Sequence, residues 1–218
     1  MARPRTFNEE AILDRAILLF WRKGYEATAM SDLVEELGLA RSSIYAAFGD
    51  KHQLFVRALT RYLDRQGALL ATALDANGPA LDQLREILGQ LLIADAVCGP
   101  AGCFSVNSIA ELLPHDEEVA RLAQRSLSLA EEAFTRQLER AARDGELSAA
   151  ITPHSGAQLL LTLVQGVQII RKAYPDPARA AACLDSAFAL LTGKAAPMEP
   201  ADTALDVAPH AFDEVHVG

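Results

Sequence analysis

The segment RSSIYAAF combines side chains of the kinds that contact DNA. Its polar and small members are Arg41, Ser42, Ser43, Tyr45 and Ala46. A guanidinium donates two parallel hydrogen bonds to a guanine edge or holds a phosphate, hydroxyls donate to bases and phosphates, and an alanine methyl contacts the methyl of thymine. For Arg41 the base and the phosphate are equally open, and for Tyr45 a phosphate contact competes with packing against the preceding helix. The segment predicts a site for double-stranded DNA.

These side chains need a helix that turns them to one side. At about 100° per residue, Ile44 and Phe48 share one face, while Ser42 and Ala46 lie nearly opposite. Gly49 ends the segment, so the helix spans about two turns. A short helix after a tight turn, with an apolar inner face and a slim outer face, is the form that enters a DNA major groove.

Two preceding helices and a long fourth helix are predicted around this segment. Asn8 caps the first helix and Gly24 stops it, and Thr28 is predicted to cap a short second helix. Asp50 opens the fourth helix, with Gln53 three residues later in a variant of the capping box. Three helices followed by a longer one match the helix-turn-helix arrangement.

Four further residues are candidates for contact with the DNA backbone or minor groove. Thr28 and Lys51 lie at predicted helix N-termini, where backbone amides and the helix dipole favour phosphate. Arg3 and Arg5 form a short arm, for which insertion into the minor groove and a solvated end are equally open.

A longer pattern extends on both sides of the segment, from residue 20 to residue 55. In order it contains Gly24-Tyr25, Thr28, Asp32-Leu33, Gly38-Leu39, Ser43-Ile44-Tyr45, Phe48, Lys51 and Leu54-Phe55. This pattern resembles the N-terminal signature of the TetR/AcrR family of bacterial transcriptional regulators. Ala40 and Ala47 stand where many members have Ser and His, but a subgroup of the family shares the YAAFGDK of residues 45–51.

The resemblance implies a fold and a function for the whole chain. It implies a homodimer, with an N-terminal DNA-binding domain and a C-terminal domain that dimerises and binds a small molecule. Most members repress a nearby promoter until an effector releases them from a palindromic operator. No cofactor and no metal are implied.

The rest of the chain is predicted to be helical, which gives an all-α protein of about nine helices. Predicted helices after the fourth cover residues 80–96, 104–113, 116–143, 153–173 and 177–191. No segment alternates apolar and polar residues over enough positions to predict a strand. Residues 1–50 are predicted to form the helix-turn-helix domain and residues 51–193 the effector-binding and dimerisation domain, joined by the fourth helix. Residues 194–218, rich in proline and acid, are predicted to be a disordered tail.

The eighth and ninth helices are predicted to form the dimer interface. Their small and apolar residues allow close approach and burial on both sides; they are Gly156, Ala157, Gly166 and Ala173 in one helix, and Ala178, Ala180, Ala181, Ala182, Leu184, Ala187, Phe188 and Leu191 in the other. Two such helices from each subunit make an isologous four-helix bundle. The alternative is that they form the internal core of a monomer.

An effector cavity is predicted among the fourth to eighth helices. Its polar and aromatic candidates are Cys103, Phe104, Asn107, Glu111, His115, Gln158 and Gln165. Each of them is also the kind of residue that fills a core or covers a surface. The residues alone do not identify the effector.

The pattern CGPAGC carries a second hypothesis about regulation. Family members with a Gly-Cys pair at the start of the sixth helix, where Gly102-Cys103 stands here, include sensors of electrophiles or oxidants. A thiol at a helix N-terminus has a lowered pKa, and Cys98 is near enough in sequence to form a disulfide with it. With His115 the two thiols could also bind Cu(I) or Zn(II). Small residues at a turn are the simpler interpretation.

Composition limits the remaining functional classes. The net charge is -9, but residues 1–65 carry 10 Lys and Arg against 9 Asp and Glu, so the acidity lies in the rest of the chain. No signal peptide, membrane span or familiar catalytic motif is found, so a cytoplasmic protein that is not an enzyme is expected. A helical ligand-binding protein or an enzyme without a DNA function is the remoter alternative.

Overall fold

The computed structural model describes residues 7–74, 78–98 and 102–194, with the backbone alone at 93–98. The regular structure within these ranges consists of nine helices and no strands, which confirms the all-α prediction. They are α1 (Glu9–Lys23), α2 (Met30–Leu37), α3 (Arg41–Phe48), α4 (Lys51–Leu74), α5 (Ala80–Cys98), α6 (Phe104–Leu112), α7 (Glu117–Arg143), α8 (Pro153–Ala173) and α9 (Pro177–Thr192). Arg3, Arg5 and the predicted tail beyond Lys194 lie outside the described residues.

Local capping explains why most helices begin where the sequence predicts. The carboxylate of Asp116 accepts the amides of Glu118 and Val119 at 3.1 and 3.0 Å and starts α7. The carboxylate of Asp50 accepts the amide of Gln53 at 2.8 Å and starts α4. Asn8, Thr152 and Asp176 act in the same way for α1, α8 and α9.

The predicted cap of α2 is wrong by one residue. Ala29 is the N-cap, and the carboxylate of Asp32 accepts its backbone amide at 2.9 Å. The hydroxyl of Thr28 instead donates to the carbonyl of Gly24 at 2.5 Å, and the side chain is fully buried. The hydroxyl therefore closes the turn that precedes α2 and is not available as a cap.

The N-terminal cluster is the hydrophobic core formed by α1, α2, α3 and the first half of α4. Ile44 and Phe48 of α3 belong to it and are 0% and 4% exposed. Phe104 of α6 also belongs to it, packed edge-on against Phe55 and Tyr62 with ring centroids 5.8 and 5.4 Å away. The start of α6 is therefore anchored among the N-terminal helices.

The C-terminal cluster joins the end of α4 with α5, α7, α8 and α9. Gly156 permits the closest approach in it, because a Cβ there would lie 2.9 Å from Leu138 and 3.0 Å from Leu191. The residues predicted for a dimer interface are divided by this packing. Those inside the single chain, and so unavailable to a partner, are Gly156, Ala157, Ala180, Leu184, Ala187, Phe188 and Leu191.

The outer sides of α8 and α9 carry an exposed apolar stripe. Its exposed members recur at helical spacing and are Leu159, Ile169 and Ala173 on α8, and Ala178, Ala182 and Leu190 on α9; Gly166, on the same side of α8, is half-buried. Leu190 is 62% exposed and Ile169 is 52% exposed. No described helix is both long and apolar enough to cross a bilayer.

Candidate DNA-binding surface

The orientation of α3 agrees with the sequence prediction. Ile44 and Phe48 face the N-terminal cluster, while Ser42 and Ala46 are exposed on the opposite side and Ser43 is half-buried at the margin. The apolar face anchors the helix, and the outer face offers only small side chains. Such a face lets the backbone of the helix approach the floor of a groove closely.

Arg41 and Tyr45 form a pair on the exposed side of α3. The Nη2 of Arg41 donates to the Tyr45 hydroxyl at 3.3 Å, and the guanidinium carbon lies 5.6 Å from the centre of the Tyr45 ring. Tyr45 is 41% exposed, so its ring is not packed away against α2. Arg41 is itself exposed, so the pair lies on the surface of α3 with the guanidinium accessible to solvent.

The other cations of α1–α4 in the described residues are bonded to protein acceptors. Their partners are Leu37 O for Arg15, Glu36 for Arg22, Asp32 for Lys23, Glu9 for Arg57, and Asp14 for both Arg61 and Arg65. Arg41 has no carboxylate partner within the described residues, and a neutral hydroxyl of its own helix is its neighbour. Among the described cations of α1–α4, Arg41 thus differs in bonding to a side-chain hydroxyl and not to a carboxylate or a backbone carbonyl, which leaves its charge available to an external anion or base edge.

Arg57 holds the end of α3 and was not predicted from the sequence. Its Nη1 donates to the carbonyl of Ala47 at 3.1 Å, its Nη2 is paired with Glu9, and its guanidinium lies 4.9 Å from the Phe48 ring. One side chain of α4 thereby connects the last turn of α3 to the first turn of α1. No spacing in the sequence signals this contact, because all three partners are brought together only by the fold.

A neighbouring ionic group joins α1 to α4 without reaching α3. Arg61 bonds to Asp14 through Nε at 2.8 Å and Nη2 at 3.0 Å, and Arg65 adds a contact at 3.0 Å. Hydrogen bonding to the Arg61 guanidinium is the main cause of a lowered pKa of Asp14. Asp14 is therefore a carboxylate throughout the neutral range.

The structure changes the predictions for Thr28 and Lys51. Thr28 is wrong as a phosphate contact, because its side chain is buried and its hydroxyl is bonded to Gly24. The Lys51 ammonium donates to the carbonyls of Tyr25 and Thr28 at 2.8 and 3.0 Å and lies 4.3 Å from the Tyr25 ring centre. The side chain thus holds the α1–α2 loop, and a phosphate contact by Lys51 stays a prediction.

The seven effector candidates are not brought together around one cavity. Phe104 is in the N-terminal cluster, Asn107 accepts a hydrogen bond from Lys172 at 3.1 Å, and Glu111 binds backbone amides of the α1–α2 loop. His115 and Gln158 are exposed, and Gln165 is half-buried. A surface groove of about 480 Å³ lies between α5 and α9, but none of these residues lines it.

Cys103 is the N-cap residue of α6, as the sequence places it. Its sulfur is 3.4 Å from the Tyr62 hydroxyl, and the side chain is half-buried. The side chain of Cys98 lies outside the described residues. Within the described residues, no group of three His, Cys, Asp or Glu side chains could hold a metal ion.

Polar contacts connect α6 and α7 with the N-terminal helices. The indole N–H of Trp21 donates to the carbonyl of Gly102 at 3.1 Å, and His52 lies 2.7 Å from the carboxylate of Asp116. Burial raises the pKa of Asp116, but hydrogen bonds from the Val119 amide and from His52 outweigh it and leave the pKa lowered. The helices that would surround a ligand are thus bonded directly to the helices that carry α3.

Comparison with known proteins agrees with this architecture. Residues 12–58 match the family model described as bacterial regulatory proteins, tetR family, and residues 80–187 match the tetracyclin repressor-like C-terminal domain. The chain is 37% identical over 154 residues to the HTH-type transcriptional regulator YezE of Bacillus subtilis, a match to 70% of this chain and 79% of YezE. It is 32% identical to the HTH-type transcriptional repressor ComR of Escherichia coli, over 77% of this chain and 80% of ComR.

A solved structure extends the similarity to a DNA complex. A cysteine-substituted variant of the TetR family regulator CifR, bound to a 26-base-pair operator duplex, matches with a TM-score of 0.77 at 27% identity. The match covers 87% of this chain and 100% of that chain.

Proposed function

The chain belongs to the TetR family of bacterial regulatory proteins, and on that premise we propose that it is a homodimeric repressor released from a palindromic operator by a small molecule. A DNA-binding transcriptional regulator is the family's common function, and ComR is a repressor. In this proposal residues 1–50 bind DNA and residues 51–193 dimerise and bind the effector. The protein acts in the cytoplasm.

The observation that carries the proposal is the chemistry of α3. Its exposed side offers a guanidinium without a carboxylate partner in the described residues, next to the small side chains of Ser42 and Ala46. Arg41 supplies base discrimination, whereas serine hydroxyls and Tyr45 supply hydrogen bonds to bases or phosphates. The bound CifR complex supports the same use of this fold.

The exposed stripe of α8 and α9 supports the homodimer. Small residues such as Gly166 and Ala182 allow helices to approach closely, and Ile169 and Leu190 would be covered in the assembly. Two copies of the stripe form an isologous four-helix interface. Two α3 helices related by this symmetry would contact half-sites about 34–36 Å apart, which is one turn of DNA.

Binding to selected DNA tests the proposal. The full-length protein is used to select duplexes from a random pool, and the affinity for the selected duplex is measured by fluorescence anisotropy at two salt concentrations. We expect a two-fold symmetric sequence, a symmetric footprint and much weaker binding to random DNA. Equal affinity for all duplexes, or no binding at low salt, would exclude a sequence-specific regulator.

A thiol-responsive regulator is the second candidate, and the position of Cys103 favours it. The thiol starts α6 beside the Tyr62 hydroxyl, at the end of the helix where the dipole stabilises a thiolate. Hydrogen peroxide or an aldehyde should then release the operator from the native protein. Cys103→Ser should block release and keep operator affinity, whereas Cys183→Ser on α9 is the matched control. Unchanged release from Cys103→Ser would exclude this candidate.

A further inference from the structure

We propose that Glu111 of α6 is a positioning residue for DNA binding, which acts by holding the loop between α1 and α2. The inference rests on the proposed function and adds to it the side chain through which the C-terminal part of the chain supports the DNA-binding helices. Glu111 was a candidate for effector binding in the sequence, and its position gives it a different partner.

The two carboxylate oxygens of Glu111 bind two consecutive backbone amides. Oε2 accepts the Tyr25 N–H at 3.0 Å, and Oε1 accepts the Glu26 N–H at 2.9 Å. Hydrogen bonds to a charged acceptor are shorter and stronger than neutral ones, and two together also fix orientation. These amides lie between the end of α1 and the start of α2, where no helix supplies acceptors for them.

Gly24 makes room for this carboxylate. Its φ of +82° is in the region that favours glycine, and a Cβ at this position would lie 3.0 Å from both Glu111 oxygens. A side chain here would therefore displace the carboxylate. The glycine that stops α1 thus also permits close approach of α6.

The loop is held from its other side by α4. The Lys51 ammonium donates to the carbonyls of Tyr25 and Thr28, so Glu111 and Lys51 bind the same short loop through its amides and its carbonyls respectively. α2 begins directly after this loop, and Gly38, Leu39 and Ala40 connect α2 to α3. A loop held on both sides therefore sets where α2 and α3 start.

Charge and position predict opposite effects for the removal of Glu111. If only its charge acts on DNA, neutralisation reduces repulsion of phosphates and raises affinity for every duplex. If it positions the loop, loss of the carboxylate lowers affinity for the operator and lowers discrimination against random DNA. The sign of the change separates the two explanations.

The test compares full-length Glu111→Ala and Glu111→Gln with Glu117→Gln, a loss of the same charge in the first turn of α7. Binding to the selected operator and to random duplex is measured by anisotropy, and hydrogen exchange is followed at the amides of Tyr25 and Glu26. We expect Glu111→Ala to lose about five- to tenfold in operator affinity, the lower end of typical coupling between sites, because Glu111 is exposed to solvent. Glu111→Gln should lie between the alanine variant and the native protein, because one amide oxygen still accepts.

A failure of the positioning role of Glu111 can be distinguished from a failure of the proposed function. Native protein that selects no operator would overturn the proposed function itself. If native protein binds its operator but Glu111→Ala behaves like Glu117→Gln or binds more tightly, the positioning role is wrong. Faster exchange at Tyr25 and Glu26 with a lower operator preference and an unchanged melting temperature supports it. If Glu111→Ala fails to fold, the glutamine variant decides by the same criteria.

Discussion

The surfaces around the N-terminal and C-terminal clusters differ in the side chains that they carry. Around the N-terminal cluster, charged side chains such as Arg57 and Arg61 link the helices, and the exposed face of α3 is small and polar. Around the C-terminal cluster the outer faces of α8 and α9 stay apolar, with Leu190 and Ile169 more than half exposed. The first region exposes mainly small and polar groups, whereas the second exposes apolar area of the kind that an interface covers, which is why a dimer is proposed there.

The two regions therefore differ in the kind of side chain that they leave exposed to a partner. Most described cations of the N-terminal helices are bonded within the protein, so Arg41 is the main outward group from which a DNA contact is proposed. In the C-terminal region the exposed groups are apolar side chains. Their burial against a partner is favourable but has no preferred direction.

The largest effect is expected from Leu190→Glu in the exposed stripe. A carboxylate buried between two copies would block dimerisation, and loss of the second half-site contact should lower operator affinity by about 100-fold or more. Sedimentation equilibrium and anisotropy measure the two effects. Leu69→Glu on α4 is the matched control, because Leu69 and Leu190 are both 62% exposed. A dimer that persists in Leu190→Glu would contradict the predicted interface.

A smaller effect is expected from Arg41→Ala in α3. Loss of a base contact should cost about 1–3 kcal/mol of operator binding and relax specificity at one position of each half-site. Arg65→Ala is the control, because Arg65 is exposed but paired with Asp14. Equal losses on operator and random DNA would mean that Arg41 binds phosphate.

Arg57→Gln and Arg61→Gln compare two arginines one turn apart on α4. Both are bonded to α1, but only Arg57 also binds the carbonyl of Ala47 in α3. Arg57→Gln should lower operator affinity by about fivefold, near the 1 kcal/mol typical of one lost hydrogen bond, with an unchanged salt dependence. Arg61→Gln should lower the melting temperature with little change in operator preference. Equal changes in operator preference would remove the special role of Arg57.

The smallest effect is a loss of stability in acid, contributed by Asp14. Its pKa is lowered in the folded protein, so its pairing with Arg61 contributes stability above the ordinary value of 3.8. This contribution is lost as the pH falls through the lower folded pKa. For a partly exposed pair it is about 1 kcal/mol or less. The difference in melting temperature between the native protein and Asp14→Asn should be constant above about pH 5 and shrink below pH 4.

Much of the fold was predictable because helix boundaries depend on local chemistry. Asn8, Asp50, Asp116, Thr152 and Asp176 each bond to amides two or three residues away, and such contacts are visible in a sequence. The orientation of α3 follows from helical periodicity alone and is confirmed. The prediction of Thr28 as a cap was wrong because its hydroxyl donates to the carbonyl of Gly24, four residues earlier in the chain. The conformation of the turn before α2 brings these two groups together.

The contacts between distant segments were not predictable in the same way. Glu111 accepts hydrogen bonds from residues more than eighty positions away in the chain, and Arg57 of α4 is paired with Glu9 of α1. A glutamate or arginine on a helix surface is ordinary in sequence, and only tertiary packing gives it a partner. The effector candidates lie apart from one another for the same reason. An amphipathic pattern in the sequence does not distinguish residues that fill a core from residues that line a cavity.

The continuous course of α4 has a geometric consequence. Its 24 residues join the N-terminal helices at one end to the C-terminal cluster at the other. At 1.5 Å per residue it is a rod about 36 Å long, so tilting it by about 5° at one end swings the other by about 3 Å. That displacement nearly equals the rise of one base pair, about 3.4 Å. A change in packing too small to alter the fold would therefore move α3 by a distance comparable to the step between base pairs.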